Sequence, residues 1–365
     1  MKINSRQLCV IVFYILTSLK LFALPSLIYV TCETDSWMVF VFMILIDICL
    51  TLIIFSFLRQ SSEKNFYKFL KNRFGVVFAK IFCFSFFVVF MLDLLDGTTG
   101  LQRLLLNNFY IEFRWYVFLI PQLSIMAYIV YKGLRNIGRL CEIFIWLIIA
   151  GIIFIILKSL TEFDPTFFLP VLSKGFSPII KALFKHITWF GTPISLLFMM
   201  GDIDFKDYKT SRLVKYLVIA GSAILISVVV FYGVFKSNAG LHSFAISDLS
   251  EISNSSTALD ELSWFIVSIW VIGQTLQLSI SFYAVIYSFR YLFNINNSWF
   301  PIVVVSLLVV FYQAVNNNSL DFAKYFYSTP VAIVGVSVKI GLVLFMALAN
   351  LFYLKRKRRK TNGKA

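Results

Sequence analysis

Apolar segments of membrane-spanning length recur along the whole sequence. A transmembrane helix needs about 20 mostly apolar residues to cross roughly 30 Å of hydrocarbon. By hydropathy, ten segments of this chain have that character, at residues 8–30, 37–58, 76–97, 115–131, 140–158, 181–200, 214–236, 263–289, 299–315 and 331–354. The sequence therefore predicts an all-α integral membrane protein with about ten transmembrane helices.

The composition excludes a soluble globular protein. Of the 365 residues, 59% are hydrophobic and only 14% are charged, whereas soluble domains average about 25% charged residues. We therefore predict one polytopic membrane domain over residues 1–365. Its first half spans about 6–158 and its second half about 181–354, and a basic tail follows at 355–365.

The distribution of Lys and Arg predicts the orientation in the membrane. If the N-terminus is cytoplasmic, 22 of the 33 Lys and Arg residues lie in or next to cytoplasmic segments and 8 lie in or next to outer loops. Basic residues accumulate on the cytoplasmic side of membrane proteins, so both termini are expected there. The basic run at 355–360 directly follows an apolar span, which favours contact with anionic lipid over binding of nucleic acid.

Two of the predicted spans, half a chain apart, are interrupted. The first carries Thr17, Ser18 and Lys20 near its middle and Pro25 beyond, and the sixth contains Gly191-Thr192-Pro193. Interruptions free backbone groups that hydrocarbon cannot satisfy. Broken helices in corresponding positions of two halves indicate a binding site near the membrane midplane. The alternative is that both are simple kinks.

The candidate ligand site combines residues at both interruptions. A half-helix N-terminus favours a carboxylate, because its dipole and its free amides both attract negative charge. Free carbonyls suit an ammonium group, so an amino acid would match both. In the alternative interpretation Thr17 and Ser18 bond back to their own helix. The predicted site residues are Thr17, Ser18, Leu19, Lys20, Trp189, Phe190, Gly191 and Thr192.

Lys20 is the most informative single residue of this site. An ammonium group near the middle of the bilayer costs about 3 kcal/mol on insertion scales, so it normally faces a partner or a cavity. Lys20 either supplies a fixed positive charge in place of a bound cation or binds the ligand carboxylate; the alternative is that its ammonium group extends to an interface. Asp47, central in the second span, is its candidate partner.

Other predicted spans also contain polar or charged residues. Gln274 and Gln277 in the eighth span either line the ligand site or form interhelical hydrogen bonds. Asp93 and Asp96 are expected near the outer mouth of the protein and away from the site. Lys339 lies nearer the outer end of its span, where extending its ammonium group to the interface is easier than for Lys20.

Three connecting segments have recognisable patterns. Residues 59–75 predict a basic amphipathic helix lying on the inner leaflet, with Phe66, Phe69 and Leu70 as its apolar face. Residues 159–180, rich in Pro and Gly, are expected to pack over the outer mouth. Residues 237–262 close an outer vestibule, contact a partner or form a solvated loop.

The sequence has no pattern typical of an enzyme or a metal site. The five cysteines are scattered, and His186 and His242 are far apart in the sequence. Phosphate-binding loops, nucleophile elbows and dinucleotide fingerprints are all missing from the sequence. We therefore predict neither a cofactor nor a metal nor catalytic residues.

Several stretches resemble the B-subunit family of spore germinant receptors, a spore permease family within the amino acid/polyamine/organocation transporter superfamily. The likeness covers essentially the whole chain, and the similar stretches follow one another in the family's order. They are Ser5-Arg6-Gln7-Leu8, Leu24-Pro25-Ser26, the stretch Tyr131–Glu142 with Gly133, Arg139 and Glu142, Phe168-Leu169-Pro170, Gly175, Pro178, Phe190-Gly191, and Leu259-Asp260-Glu261 ahead of Trp270. The sequence departs from the family pattern at Arg135, where an acidic residue is expected, and at Lys20.

The resemblance implies both a fold and a function. The implied fold is a LeuT-like five-plus-five inverted repeat in which helices 1 and 6 are unwound around a small-ligand site. The implied function is recognition of a germinant, commonly an amino acid, in the spore inner membrane, with an A-type membrane subunit and a C-type lipoprotein as partners. Two alternatives stay open, namely a secondary transporter of amino acids or related amines and a purely structural membrane partner.

Overall fold

The computed structural model describes most of the chain as helices joined by short turns. The described residues are 2–17, 19–21, 23–60, 63, 65–109, 114–186, 189–205, 208–251, 257–297, 299–316, 335 and 337–341. Within these ranges no β-strand forms, and the one β contact is an isolated bridge between Ile3 and Ile203.

The described α-helices number eleven. They are α1 Ser5–Thr17, α2 Leu24–Cys32, α3 Ser36–Gln60, α4 Phe66–Phe109, α5 Tyr116–Tyr131, α6 Leu134–Ser159, α7 Ser177–His186, α8 Thr210–Phe235, α9 Ala245–Ser250, α10 Thr257–Phe293 and α11 Trp299–Asn316. The 3-10 helices are Leu19–Leu21, Glu33–Asp35, Pro165–Phe168, Thr192–Met199 and Lys236–Leu241, and a π-helix covers Ser337–Gly341.

Six helical stretches of the described chain are long and apolar enough to cross a membrane. They are Leu24–Arg59, Phe66–Leu106, Leu134–Ser159, Thr210–Leu241, Phe265–Phe293 and Trp299–Asn316. Two shorter apolar helices, α1 and α5, add to these. The predicted first span divides into α1 and α2, and the predicted sixth span divides into α7 and the 3-10 helix Thr192–Met199. Most of the predicted tenth span and the basic tail lie outside the described residues.

Helix α1 lies in the middle of the helical bundle. All of its residues except Arg6 are buried, as expected for a helix that is apolar on every face. It packs against α6, α8 and α10 and touches the 3-10 helix Thr192–Met199. The core of the protein therefore forms around the first interrupted span.

The basic amphipathic helix predicted at 59–75 forms the first part of α4. Phe66, Phe69 and Leu70 are fully buried, while Lys68 and Lys71 are exposed. Gly75 then takes a non-helical conformation with φ 88°, which kinks α4 before the membrane-spanning part. The predicted division of this helix into an apolar face and a basic face is thus confirmed, and contact of the basic face with the inner leaflet stays a prediction.

The loop predicted at 237–262 is not a solvated loop in its described part. It contains the short helix α9, whose residues Ala245, Ile246 and Leu249 are buried. Helix α9 packs against α2, α6, α8 and α10, and Lys158 Nζ donates a hydrogen bond of 2.8 Å to the Ser250 carbonyl. The described part of this segment therefore packs against the helical bundle, and the alternative of a solvated loop is wrong for it. Residues 252–256 lie outside the described ranges.

Candidate ligand site where the interrupted helices meet

The first interruption falls where the sequence predicts it. Helix α1 ends at Thr17, and the 3-10 helix Leu19–Leu21 precedes α2. The Thr17 hydroxyl donates to the Phe13 carbonyl at 2.9 Å, which is the back-bonding alternative considered for this residue. Pro25 lies in the first turn of α2, where a missing N–H costs nothing. Ser18 and the side chain of Leu19 lie outside the described residues.

The second interruption is built around Gly191. Helix α7 ends at His186, and Trp189 and Phe190 are buried ahead of the break. Gly191 has φ 76° and ψ 9°, the left-handed conformation that glycine adopts without steric cost. Pro193 in the next turn favours a restart of the helix, because its fixed φ suits a first turn.

Asp47 of α3 joins the two interruptions. One carboxylate oxygen forms an ion pair with Lys20 Nζ, and both side chains are 1% exposed. The other carboxylate oxygen accepts a hydrogen bond of 2.8 Å from the Gly191 amide. Asp47 was predicted from the sequence as a candidate partner of Lys20, and this pairing is confirmed. The additional bond to Gly191 is a finding of the structure.

Two further contacts bind the interrupted segments to each other. The Lys20 ammonium lies 4.7 Å from the centre of the Phe190 ring, a cation–π distance. The Thr192 hydroxyl donates to the Ile15 carbonyl at 3.1 Å. Seven of the eight residues predicted at the two interruptions lie within the described ranges, and these contacts bring Lys20, Phe190, Gly191 and Thr192 together.

A second buried ion pair lies beside the first, and sequence reasoning missed it. Lys339 Nζ is 2.8 Å from Asp93 Oδ1, with the two side chains 4% and 11% exposed. A Cβ at Gly191 would lie 2.9 Å from Cβ of Lys339, so this pair borders the break. The ammonium group of Lys339, for which extension to the interface was expected to be easier than for Lys20, pairs with Asp93 inside the protein instead, and the position of Asp93 near the outer mouth stays a prediction. Pairing within the protein avoids the cost of two separately buried charges.

The predicted glutamines lie on the neighbouring helix α10. Gln274 and Gln277 are both 2% exposed, and α10 packs against α1 and against Thr192–Met199. Oε1 of Gln277 has no hydrogen-bond partner in the described part of the chain. The structure thus places both glutamines in the core, on a helix that packs against segments of both interrupted spans, while their role in ligand binding stays a prediction.

The two ends of the bundle are closed by different contacts. At the end that carries the N-terminus, the Ile3 amide donates to the Asp202 carbonyl at 2.6 Å, and the Asp204 amide donates to the Ile3 carbonyl at 2.8 Å. Arg6 adds an ion pair of 3.3 Å with Glu142. Burial raises the pKa of Asp202, whose carboxylate also accepts a hydrogen bond from Tyr283.

The opposite end is closed by the segment predicted to cover it. The Leu172 amide donates to the Asp35 carboxylate at 2.9 Å, and Lys174 pairs with Glu33 at 2.6 Å. These bonds tie residues 165–175 to the turn between α2 and α3. Both ends of the described bundle therefore carry hydrogen bonds between segments that are distant in the sequence.

The fold matches solved structures of transporters. The substrate-bound, outward-open structure of a Na⁺-coupled sialic acid symporter superposes with a TM-score of 0.66 at 15% identity, covering 94% of this chain and 78% of that one. A manganese transporter of Eremococcus coleocola gives a TM-score of 0.60 at 12% identity, covering 94% and 76%. These likenesses confirm a multi-pass helical membrane protein with the LeuT-like inverted-repeat fold and interrupted helices 1 and 6.

The sequence comparisons give the family. The model of the spore permease family, described as spore germination protein, matches residues 2–321. The chain belongs to this family. Spore germination protein XB of Bacillus anthracis is 22% identical over 331 residues, which cover 89% of this chain and 90% of that protein. The protein is thus a germination-related membrane permease, and its relatives and fold neighbours are permeases and transporters.

Proposed function

We propose that the chain is the membrane subunit of a nutrient germinant receptor that binds a small ligand, an amino acid, between its two interrupted helices. The observation that supports this most is the meeting of both interruptions at Asp47, which bonds Lys20 on one side and the Gly191 amide on the other. Interrupted helices near the midplane are where transporter folds place their ligands.

In this proposal Lys20 supplies a fixed positive charge in place of a bound cation. Its ammonium group is paired with Asp47 and covered by the Phe190 ring, so it acts as a fixed internal cation and does not bind the ligand carboxylate directly. An ammonium held by a carboxylate and an aromatic face can stabilise two unwound segments without a dissociable metal ion. The ligand then binds to a site whose charges are already neutralised.

Membership of the family supports a proposal for the setting and the partners. We propose that the protein lies in the spore inner membrane with both termini cytoplasmic, alongside an A-type membrane subunit and a C-type lipoprotein. The excess of Lys and Arg in the predicted cytoplasmic segments supports this orientation. A small-molecule ligand and the lipid bilayer are the interactions common to the family and to its fold neighbours.

A second function, secondary transport of amino acids or related amines, is favoured by the fold itself. The solved neighbours include a sialic acid symporter and a manganese transporter. Receptor and transporter need the same site, because both must recognise a ligand between the interrupted helices.

The test is a pair of measurements on the purified chain. Each of the twenty L-amino acids is first screened for thermal stabilisation of the detergent-solubilised protein, and each stabilising compound is then offered to proteoliposomes. The receptor proposal predicts specific stabilisation by at least one amino acid without concentrative uptake. Concentrative uptake would favour the transporter, and the absence of any stabilising amino acid would contradict the ligand assignment.

A further inference from the structure

The polar groups at the interruptions are nearly all occupied by partners within the protein. The Lys20 ammonium and the Gly191 amide are held by Asp47. The hydroxyls of Thr17 and Thr192 donate to backbone carbonyls. A ligand gains affinity from groups that lack an internal partner, since displacing an existing hydrogen bond returns little free energy. The residues predicted to contact the ligand therefore chiefly shape the site.

His186, close to the break in the sequence, differs from these groups. It is the last residue of α7, five positions before Gly191, and its side chain is only 2% exposed. Neither of its ring nitrogens has a hydrogen-bond partner in the described part of the chain. A buried polar atom without a partner costs about 1–3 kcal/mol, and an ionisable side chain inside a membrane protein commonly marks a functional site.

We infer that His186 contacts the ligand and that the ligand carries no net charge; this inference rests on the function proposed above. A neutral imidazole offers one N–H donor and one acceptor nitrogen. A zwitterionic amino acid can fill both positions, because its ammonium group donates and its carboxylate accepts.

The restriction on ligand charge comes from the two ion pairs at the break. Lys20 with Asp47 and Lys339 with Asp93 form two cations and two anions, all at most 11% exposed. Their formal charges cancel. A ligand with net charge would therefore enter a poorly solvated site without a counter-ion, which is costly, whereas a zwitterion with an uncharged side chain would not.

The chain offers a clean way to observe this residue. Its histidines are His186 and His242, and His242 lies in the connecting segment after α8, paired with Asp248 at 3.2 Å. In a His242→Gln background, histidine ¹³C-labelled at Cε1 alone gives a single ring signal, that of His186. The same variant serves as the control for ligand-induced thermal stabilisation, which we expect it to leave unchanged.

The test combines this signal with thermal stabilisation of His186→Leu and His186→Gln in detergent. The probes are neutral, acidic and basic L-amino acids, with a hexose and a nucleoside as uncharged compounds of other classes. We expect a neutral amino acid to shift the His186 signal and to stabilise the wild-type protein. His186→Leu should weaken its binding about tenfold or more, the equivalent of at least one hydrogen bond, and His186→Gln should weaken it less.

The unliganded melting temperatures separate ligand contact from a structural role. His186→Leu removes no hydrogen bond to a described residue, so its unliganded melting temperature should equal or exceed that of the wild-type protein. A marked drop, or equal stabilisation of His186→Leu and wild type by the same amino acid, would overturn the contact while leaving the proposed function intact. Stabilisation by charged amino acids alone would overturn the charge restriction.

The remaining outcomes distinguish the inference from the function on which it rests. If only the hexose or the nucleoside shifts the His186 signal, the amino acid assignment is wrong and the contact is supported. If no probe shifts the signal or stabilises the protein, both the contact and the ligand-binding function are contradicted.

Discussion

At the scale of single residues, Asp47 has the central position. Its two carboxylate oxygens accept from different interrupted helices, one from the Lys20 ammonium and one from the Gly191 amide. Both charged side chains are 1% exposed, so neither is stabilised by water. A buried pair of this kind is costly to break from one side, because the remaining charge keeps its desolvation penalty.

The Lys20→Met variant tests this dependence. It leaves the Asp47 carboxylate buried with the Gly191 amide as its described donor, and we expect a loss of about 3–5 kcal/mol in the free energy of unfolding. The double variant Lys20→Met, Asp47→Asn should recover most of that loss, since the amide oxygen of Asn still accepts from Gly191. Thermal unfolding in detergent measures both. A double variant no more stable than the single one would contradict the pairing account.

At the scale of elements, the break in the sixth span depends on a glycine that nothing larger can replace without strain. Gly191 combines a left-handed backbone with close approach of Lys339. The two features have separate costs. Left-handed backbone costs an L-residue about 1–2 kcal/mol, and overpacking costs about 1–3 kcal/mol more.

Gly191→Ala and Gly175→Ala form a matched pair that separates these costs. Gly175 has a similar φ of 68° but nothing within 4 Å of an added Cβ, whereas Gly191 has φ 76° and the Lys339 contact. We expect both variants to lower the melting temperature and Gly191→Ala to lower it clearly more. Equal effects would show that the approach of Lys339 to the break does not constrain the site.

The closure formed by the N-terminal segment should depend on pH through Asp202. Burial raises the pKa of this carboxyl above the ordinary value of 3.8, so the closed arrangement binds the proton more tightly than an opened one. Protonated Asp202 therefore stabilises the closed arrangement fully at a pH below its ordinary pKa. This stabilisation is lost as the pH rises through the raised pKa of the closed arrangement. Protection of the Ile3 amide against hydrogen exchange, corrected for intrinsic rates, should fall accordingly as the pH is raised above 3.8.

Asp202→Asn should remove this pH dependence, because an amide stays neutral throughout. Asp204→Asn, which changes a carboxylate two positions along the same segment, is the matched control and should keep it. If Asp202→Asn loses protection with rising pH as the wild-type protein does, then another group controls the closure.

At the scale of the whole molecule, hydropathy predicted the class and the two interruptions, since both depend on local sequence. The Lys20–Asp47 pair was also predictable, because two buried charges in adjacent spans have few other partners. The second pair was not, since Lys339 and Asp93 are 246 positions apart and hydropathy carries no information on which faces of distant helices meet. The sequence also could not predict that the imidazole of His186 lacks a hydrogen-bond partner among the described residues, because that depends on how the chain folds.

An experimental structure of the protein bound to a stabilising amino acid would show directly whether the ligand lies between the interrupted helices. We predict ligand density between the 3-10 helix Leu19–Leu21 and residues 189–192, within hydrogen-bonding distance of His186, with the Lys20–Asp47 pair intact. Density confined to another part of the protein, such as the segments 165–175 or 236–250, would contradict the assignment of the interrupted helices as the ligand site.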